Sequence, residues 1–351
     1  MKGLIRGFLF PLSLMYNGLT KFRNFLYNSL ILKTFQTPVY SIGVGNLAVG
    51  GTGKTPFVSY LIQQFPGVQI AVLSRGYGRK TKGFLSVDKA SSPATVGDEI
   101  FMLFEKHQAV SKFFVCEDRK LGVQNIMRLH PAIELIIFDD IFQHRRVRPN
   151  LNILLSTFSS PFFDDFLMPY GRLRESRQGL KRADMLIFTK VQNGLSDWRR
   201  SHFMKSVKKV SDKGLPIFFT KQKTDKMINI NEKSLKSGEK VTVLSALARN
   251  DLFQSDVGKS FDVSEKFGFR DHHAYTIKDL QDIWHKASSL PVITTEKDFV
   301  KLKQLLSKEQ LESFYVFKIE ANFLEDEALF LTYIKEDFKR FRSRKGSLNN
   351  G

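Results

Sequence analysis

Residues 45–55 read Gly-Asn-Leu-Ala-Val-Gly-Gly-Thr-Gly-Lys-Thr and follow a β-branched run at 39–44. A loop that surrounds phosphate groups needs backbone N–H groups turned inward, which glycine allows without steric cost. It also needs a lysine that reaches the β- and γ-phosphates and a hydroxyl that holds Mg²⁺. The segment supplies each group in turn: Gly50, Gly51, Thr52 and Gly53 for the loop, Lys54 for the phosphates of a nucleoside triphosphate and Thr55 for the metal.

One position departs from the strict phosphate-loop pattern, because Ala48 stands where that pattern has glycine, six residues before the lysine. Pro56 follows in the first turn of a predicted helix, where its missing N–H does no harm. A plain glycine-rich turn is the alternative. The strand before the loop and the helix after it favour a nucleotide-binding loop.

The chain beyond residue 38 alternates strand-like and helical patterns, which predicts an α/β fold with a parallel sheet of the P-loop NTPase type and flanking helices. Strand-like runs lie at 39–44, 69–74, 112–116, 134–139, 152–157 and 185–190. A second set lies at 216–220, 241–246, 291–295 and 314–319. Because a polar, Lys-rich segment separates the two sets, we expect a P-loop domain over 36–220 and a smaller C-terminal α/β domain over 221–351.

The charge of the chain is strongly basic, with 54 Lys and Arg against 35 Asp and Glu and a net charge of +19. The first acidic residue is Asp88. Such an excess suits nucleic acid, an anionic membrane or a phosphorylated substrate, and a solvated basic surface is the plainer reading. The single cysteine, Cys116, excludes an intrachain disulfide.

Residues 1–35 are apolar and basic, and their charge-free stretch at 7–20 is too short to span a bilayer. On a helical wheel one stripe is polar and another is apolar. The polar stripe holds Lys2, Arg6, Ser13 and Asn17, and the apolar one holds Leu4, Ile5, Phe8, Leu9, Leu12, Met15 and Tyr16. This pattern predicts an amphipathic helix that lies on a membrane surface. A helix packed into the core is the alternative.

An apolar strand at 134–139 ends in the acidic pair Asp139 and Asp140. Ligands of open α/β sheets bind at the carboxyl ends of the strands, and P-loop enzymes hold Mg²⁺ there with an Asp. Two adjacent carboxylates are costly unless a cation compensates them. The pair is therefore predicted to bind Mg²⁺, with a solvated strand end as the alternative.

Four further motifs are individually weak. Ser-Arg-Gly-Tyr-Gly-Arg at 74–79 and Gly-Arg-Leu-Arg-Glu at 171–175 contain arginines suited to phosphate oxygens, or they are plain basic turns. Asp98 precedes a helical run and by itself reads as an N-cap. Asp-His-His at 271–273 offers a carboxylate–imidazole pair but has too few ligands for a metal site.

Together these motifs resemble the lipid A 4′-kinase family, the tetraacyldisaccharide 4′-kinases, over nearly the whole chain. The matching stretches are Gly-Gly-Thr-Gly-Lys-Thr-Pro (50–56), Ser-Arg-Gly-Tyr-Gly-Arg (74–79), Val-Gly-Asp-Glu (96–99), Asp-Asp-Ile-Phe-Gln-His (139–144), Gly-Arg-Leu-Arg-Glu (171–175), Asp-His-His (271–273) and Thr-Thr-Glu-Lys-Asp (294–298). Ile141 departs from the family pattern, which has glycine there, and this raises a question about the turn after the acidic pair.

The resemblance implies transfer of the ATP γ-phosphate to the 4′-hydroxyl of a tetraacylated glucosamine disaccharide 1-phosphate, at the cytoplasmic face of the inner membrane of Gram-negative bacteria. It implies that Asp98 is the general base and that His272 supports it. It also implies roles for Asp139 and Asp140 toward Mg²⁺ and the γ-phosphate. The remaining implied residues of the active site are Arg75, Tyr77, Arg79, Gln143, His144, Arg172, Arg174 and Glu175.

Three other classes of protein compete with this interpretation. A P-loop GTPase or ATPase that acts on a protein partner usually carries Asn-Lys-x-Asp, whereas this chain has Thr189-Lys190-Val191-Gln192. A nucleic-acid-binding ATPase fits the charge, but no recognised binding motif is found, so no nucleic-acid partner is expected. A membrane adaptor without catalysis leaves the acidic pair unexplained. The oligomeric state is not predicted.

Overall fold

The computed structural model describes residues 2–192, 194–224, 227–287 and 289–349. Strands and helices alternate, and the predicted α/β fold class is confirmed. The strands are β1 (Phe35–Gln36), β2 (Tyr40–Asn46), β3 (Ile70–Ser74), β4 (Leu85–Val87), β5 (Ser111–Val115), β6 (Leu135–Asp139), β7 (Val147–Arg148), β8 (Leu151–Thr157), β9 (Met185–Thr189), β10 (Ile217–Thr224), β11 (Lys240–Ser245), β12 (Asp262–Gly268), β13 (Val292–Thr295), β14 (Phe314–Phe317) and β15 (Ile319–Phe323). The helices are α1 (Lys2–Asn28), α2 (Lys54–Gln63), α3 (Pro93–Val96), α4 (Asp98–His107), α5 (Arg119–Leu129), α6 (Asp197–Lys208), α7 (Asn250–Gly258), α8 (Ile277–Ala287), α9 (Glu296–Leu302), α10 (Lys308–Leu311) and α11 (Glu327–Asn349).

The large sheet has nine strands in the order β15-β10-β9-β8-β2-β6-β3-β5-β4. Its strands pair in parallel except at the two edges, where β4 and β15 are antiparallel to their neighbours. The strands β2, β3, β6 and β9 are buried along their whole length. Burial on both faces is expected for parallel strands that helices cover on each side. Here Phe57 and Leu61 of α2 pack on one face and Val123 and Ile126 of α5 on the other.

The small sheet has four parallel strands in the order β12-β11-β13-β14. Its helices bury apolar side chains against it, among them Phe253 of α7 and Ile283 of α8. The strand β12 alternates exposed and half-buried residues, because it is the edge of this sheet. The strands β11 to β14 thus form a sheet separate from the large one.

The boundary expected between residues 220 and 221 falls inside β10, which belongs to the large sheet through its pairing with β9. The chain also returns to the large sheet, since β15 pairs with β10 and α11 packs Phe330, Ile334 and Phe338 into the core of that sheet. We therefore propose that the smaller unit is an insertion of about residues 227–318 within the P-loop domain. A linear reading misses this because strand pairing is not local.

The N-terminal helix α1 is amphipathic, but its polar side packs against the protein. Ser13 and Thr20 are buried, and the Ser13 hydroxyl donates to the carbonyl of Leu167 at 2.9 Å. Exposed apolar side chains cover the outer side: Phe10, Leu12, Leu14, Met15, Leu19, Phe22 and Phe25. The side chains of residues 2–8 in the predicted stripes are outside the part described. Within the described residues, no helix is both long and apolar enough to cross a membrane.

Candidate active site

The predicted site residues gather at one edge of the large sheet. The strands β2, β6 and β3 are neighbours and run parallel, so the loops that follow them emerge side by side. The glycine-rich loop follows β2, the acidic pair ends β6, and the 74–79 motif ends β3. This edge is where open α/β sheets bind ligands.

The glycine-rich loop uses left-handed backbone at two of its glycines, with φ of 109° at Gly50 and 80° at Gly53. These angles are unfavourable for other residues, so the sequence pattern and the backbone agree. Ala48 is not among the described residues with positive φ, and this explains why a methyl group is tolerated there. The amide of Asn46 fixes the loop by donating to the Ala48 carbonyl at 2.7 Å and to the Thr52 hydroxyl at 2.8 Å.

The helix α2 begins directly at Lys54, so its first turn follows the loop without a break. The Lys54 ammonium lies 3.8 Å from Oδ1 of Asp140. Thr55 is buried beside it. This arrangement brings a phosphate-binding cation and a hydroxyl to the end of β6, where the acidic pair begins.

Asp139 is almost fully buried, and its two carboxylate oxygens differ in their contacts. The Ser74 hydroxyl donates to Oδ2 at 3.2 Å, whereas Oδ1 has no hydrogen-bond partner among the described residues. Burial, together with the charges of Glu99 and Asp140, raises the pKa of Asp139 to about 7, although Lys54 and Ser74 act in the opposite direction. A buried carboxylate oxygen without a partner is costly unless a cation binds it. The residues at this point therefore fit a divalent cation.

Asp140 is held by Arg174 in a two-pronged ion pair, with Nη1 to Oδ2 at 3.0 Å and Nη2 to Oδ1 at 2.8 Å. The same guanidinium also donates to the side-chain oxygen of Asn46. Burial by itself raises the pKa of Asp140, but Arg174, Lys54 and Arg119 outweigh it and lower the pKa. The two adjacent carboxylates thus differ, since Asp140 forms ion pairs with Arg174 and Lys54, whereas the charge of Lys54 only partly offsets the burial of Asp139.

The turn after the acidic pair does not require glycine at position 141, where the family pattern has glycine and this chain has Ile141. The left-handed residue of this turn is Asp140, with φ of 51°, and Ile141 is not among the described residues with positive φ. Its side chain is buried against Gly43, where an added Cβ would lie 2.7 Å from Cγ2 of Ile141. The isoleucine fills this space without altering the acidic pair.

Asp98 and His272 form a hydrogen bond of 3.0 Å between Oδ2 and Nδ1, across 174 positions of sequence. Burial raises the pKa of Asp98, but His272, Lys297 and Lys301 outweigh it and lower the pKa. The N-cap interpretation of Asp98 is wrong: Gly97 is the N-cap of α4, and Asp98 is its first residue. The second carboxylate oxygen of Asp98 accepts from the adjacent N–H of Glu99, at 3.0 Å.

Two residues of the 74–79 motif make different contacts. Tyr77 lies near the Asp98–His272 pair, whereas Arg79 binds Glu117. The Tyr77 ring lies 5.0 Å from the ring of His272. Arg75 is exposed at this edge. Arg79 instead has a buried side chain that donates to Glu117 and to the carbonyl of Gly83. Its predicted place in the active-site lining therefore has no support in these contacts.

The residues after the acidic pair and in the 171–175 motif form a connected network. Gln143 donates to the carbonyl of Asn46 at 2.7 Å and to Glu175 at 3.1 Å. Glu175 is fully buried and also accepts from Arg182 at 2.7 Å. Through these contacts Gln143 and Glu175 stabilise the start of the glycine-rich loop, and their polar groups are directed at protein atoms rather than at solvent.

His144 and Arg172 were predicted to line the same site. Burial, together with the charge of Arg119, lowers the pKa of His144 to about 4, so its imidazole is neutral at pH 7. Arg172 is about half exposed and pairs with Asp165 at 2.8 Å. Its backbone carbonyl accepts from Val49 of the glycine-rich loop at 2.8 Å.

Several residues outside the predicted site lie close to it in the structure. Arg119 is almost fully buried and donates to the backbone carbonyl of Asp140 at 3.4 Å. Lys297 and Lys301 of α9 each lie 3.7 Å from Asp98. A signal for Arg119 was present, because it follows a predicted strand whose end lies at the same edge. Lys297 lies in the Thr-Thr-Glu-Lys-Asp stretch after the predicted strand at 291–295, but that strand belongs to the small sheet, so no local signal places either lysine at this edge.

The helix α1 is attached to the 171–175 motif by hydrogen bonds. The Tyr16 hydroxyl donates to the carbonyl of Arg174 at 2.7 Å. The Asn24 amide donates to the Glu175 carboxylate at 3.2 Å. Tyr16 therefore lies on the side of α1 that contacts the protein. The helical wheel had assigned it to the apolar stripe.

Comparison with known proteins identifies the family to which this chain belongs. A family model described as LpxK, tetraacyldisaccharide-1-P 4′-kinase, matches residues 5–339. The tetraacyldisaccharide 4′-kinase of Cytophaga hutchinsonii is 36% identical, covering 93% of this chain and 94% of that protein. The enzyme of the same name from Flavobacterium psychrophilum is 37% identical, with 93% and 95% covered. The solved structure of LpxK from Aquifex aeolicus in complex with ATP is similar, with a TM-score of 0.73 and 28% identity over 95% of this chain and 99% of that one.

Proposed function

The chain belongs to the tetraacyldisaccharide-1-P 4′-kinase family, and from that premise we propose how its residues transfer phosphate. It is an ATP-dependent lipid A 4′-kinase, whose acceptor is the 4′-hydroxyl of a tetraacylated glucosamine disaccharide 1-phosphate. The bond between the γ-phosphorus and its bridging oxygen to the β-phosphate breaks, and a bond from the 4′-oxygen to that phosphorus forms. The hydroxyl proton must leave to a base, and ADP is released.

Phosphate binding is assigned to the loop of residues 50–55. Its left-handed glycines turn backbone N–H groups inward, and Lys54 balances the charge that develops on the transferred phosphoryl group. Arg174 and Lys54 together compensate Asp140, so that carboxylate stays ionised. Charges that are fixed in advance cost no reorganisation during the reaction, which is how they accelerate it.

The residues that would hold Mg²⁺ are Thr55, Asp139 and Asp140. The support is the Oδ1 atom of Asp139, which is buried without a partner beside a second carboxylate. When bound, Mg²⁺ neutralises charge on the phosphate oxygens. The raised pKa of Asp139 has the same origin as this cation affinity, because a cation replaces the proton that burial otherwise favours.

The observation that carries the assignment of the base is the 3.0 Å hydrogen bond between Asp98 and His272. A sugar hydroxyl is a poor nucleophile at neutral pH, so a positioned carboxylate helps by accepting its proton. Asp98 is buried, yet its pKa is lowered, because His272 and two lysines outweigh the effect of burial. It is therefore unprotonated and able to accept a proton at pH 7.

The outer side of α1 is proposed to lie in the headgroup region of an anionic membrane, at the cytoplasmic face of the inner membrane. Four of its apolar side chains, Leu12, Met15, Leu19 and Phe22, are 53%, 67%, 70% and 63% exposed. A contiguous exposed apolar surface of this kind is unfavourable in water. Because the polar side of α1 is already used against the protein, the core-helix alternative does not account for the exposed face.

The competing P-loop GTPase or ATPase that acts on a protein partner is not favoured by these relatives.

The proposed base is tested by a double-mutant cycle with Asp98→Asn and His272→Ala. Each single variant should bind ATP normally and lose about 100-fold or more of its turnover. The double variant should lose less than the product of the two, since paired groups act as a unit. Fully active Asp98→Asn protein would remove Asp98 from the mechanism.

A further inference from the structure

The first residues of α9 approach the Asp98–His272 pair from the insertion. The ammonium of Lys297 lies 3.3 Å from Nε2 of His272, 2.7 Å from Oδ1 of Asp271 and 3.7 Å from Oδ2 of Asp98. Its side chain is only 15% exposed. Lys297 therefore contacts both members of the pair, and it reaches the imidazole nitrogen that Asp98 does not use.

The position of Lys297 is fixed by the way in which α9 begins. The Thr295 hydroxyl accepts from the N–H of Asp298 at 3.1 Å and donates to its carboxylate at 2.8 Å. The same carboxylate is fully buried and accepts from the N–H of Ala246 at 2.9 Å. These bonds tie the helix start to the small sheet, so the Thr-Thr-Glu-Lys-Asp motif holds the lysine in place.

The chemistry of the contact determines where the proton of His272 lies. An ammonium group has only donors, so Nε2 of His272 must accept from Lys297. The carboxylate of Asp98 has only acceptors, so Nδ1 must donate to it. Burial lowers the pKa of Lys297, but Asp98 and the hydrogen bond to Asp271 outweigh burial and raise it, which keeps the lysine charged. A second proton on the imidazole would place two donors face to face.

We propose that Lys297 is a positioning residue that opposes a second proton on His272 at Nε2 and so directs the Nδ1 proton at Asp98. This inference rests on the proposed role of Asp98 as the base. A neutral His272 orients the carboxylate without forming an ion pair with it, so Asp98 remains the group that takes the hydroxyl proton. The lysine also makes the pair depend on docking of the insertion, because α9 belongs to the insertion and α4 does not.

Several charged groups face the imidazole and act on its protonation. The pKa of His272 is raised on balance, because the hydrogen bond and the charge of Asp98 outweigh burial and the charge of Lys297, which lower it. The neighbouring charged groups around the pair are Asp271 on the His272 loop, Glu99 on α4, and Asp298 and Lys301 on α9. Lys297 is the cation that reaches Nε2, so its removal should raise the pKa of His272.

The test uses full-length protein in detergent micelles, labelled with ¹⁵N at histidine, and a His272→Gln variant to assign the signal. In wild type above about pH 8 we expect a neutral His272 with its proton on Nδ1. Lys297→Met should raise the pKa of His272 by about one unit, because an adjacent like charge is lost. Lys297→Arg, which keeps a charged donor, should restore most of the wild-type titration.

Lys303→Met is the matched control, because Lys303 joins the same two helices through Glu105 at 3.0 Å without touching the pair. It should leave the His272 titration unchanged.

In the same proteins Lys297→Met should lower kcat by about 10- to 100-fold, with KM for ATP little changed. An unchanged or lowered His272 pKa in Lys297→Met would overturn the inference. Fully active Asp98→Asn protein would instead overturn the assignment of the base, and the titration result would still stand.

Discussion

The hydroxyl of Tyr16 donates to the backbone carbonyl of Arg174, and the side chain of Arg174 in turn holds Asp140 through two hydrogen bonds. The outer helix and the acidic pair thus meet at one residue. This connection gives a physical route by which docking of α1 supports the geometry of the phosphate-transfer site.

Arg174→Lys should lower kcat by at least about 10-fold while the protein remains folded. A lysine cannot reproduce the two-pronged contact with a carboxylate, so Asp140 would be held less firmly. Arg128→Lys is the control, because Arg128 is an exposed residue of α5 outside the predicted site. Steady-state kinetics of both variants decide the matter, and equal activities would remove Arg174 from the site.

Asp139→Asn should lower turnover by about 100-fold or more and raise the Mg²⁺ concentration needed for half-maximal rate. The amide keeps the size of the side chain but provides a weaker ligand for a cation. Asp88→Asn, at an exposed turn, serves as the control. Rates are measured across a Mg²⁺ series. Wild-type rates at every Mg²⁺ concentration would mean that Asp139 does not bind the metal.

The fold and most of the site were predictable because their signals are local. The strands β2, β3, β6 and β9 are buried hydrophobic runs, and the residues of the phosphate loop lie together in sequence. The edge strand β12 was missed, because its side chains alternate without a buried face.

Contacts between distant segments were not predictable from the sequence. The return of β15 to the large sheet depends on its pairing with β10 across about a hundred residues. The role of Lys297 depends on the insertion bringing α9 to α4. The sequence pattern around Arg79 fits an arginine that binds phosphate and equally fits one that pairs with Glu117, as Arg79 does in the structure.

Replacing Met15 and Leu19 with serine should weaken binding to vesicles that contain anionic lipid by at least about 10-fold. Each residue would bury most of an exposed apolar side chain in the membrane, at about 25 cal/mol per Å². ATP binding should be unchanged. Leu129→Ser, which alters an exposed leucine of α5, is the control. Vesicle co-sedimentation measures the effect, and unaltered binding would show that α1 does not contact lipid.

Acid should destabilise the protein in part through His107. Burial lowers the pKa of His107 to about 4, and its Nε2 atom is 2.7 Å from the Ser59 hydroxyl. Below about pH 6.5 the unfolded chain takes up the proton first, so stability falls as the pH drops toward about 4.

At about pH 5 this loss amounts to roughly 2 kcal/mol for a histidine with such a shift. His107→Gln should therefore lose less stability between about pH 7.5 and pH 5 than the wild type. His285→Gln, at an exposed position of α8, should behave as the wild type does. Urea unfolding at the two pH values provides the comparison. Identical losses in the wild type and in His107→Gln would exclude His107 as the source.

The most direct test of the central claim is transfer of label from γ-labelled ATP, with Mg²⁺, to a set of acceptors. The set comprises the tetraacylated disaccharide 1-phosphate, the same lipid with its 4′-hydroxyl blocked, a protein mixture and water. We expect label in the unblocked lipid alone, and none with Lys54→Ala, which removes the cation beside Asp140. Label released only as inorganic phosphate, or carried to protein while the lipid stays unlabelled, would contradict the account.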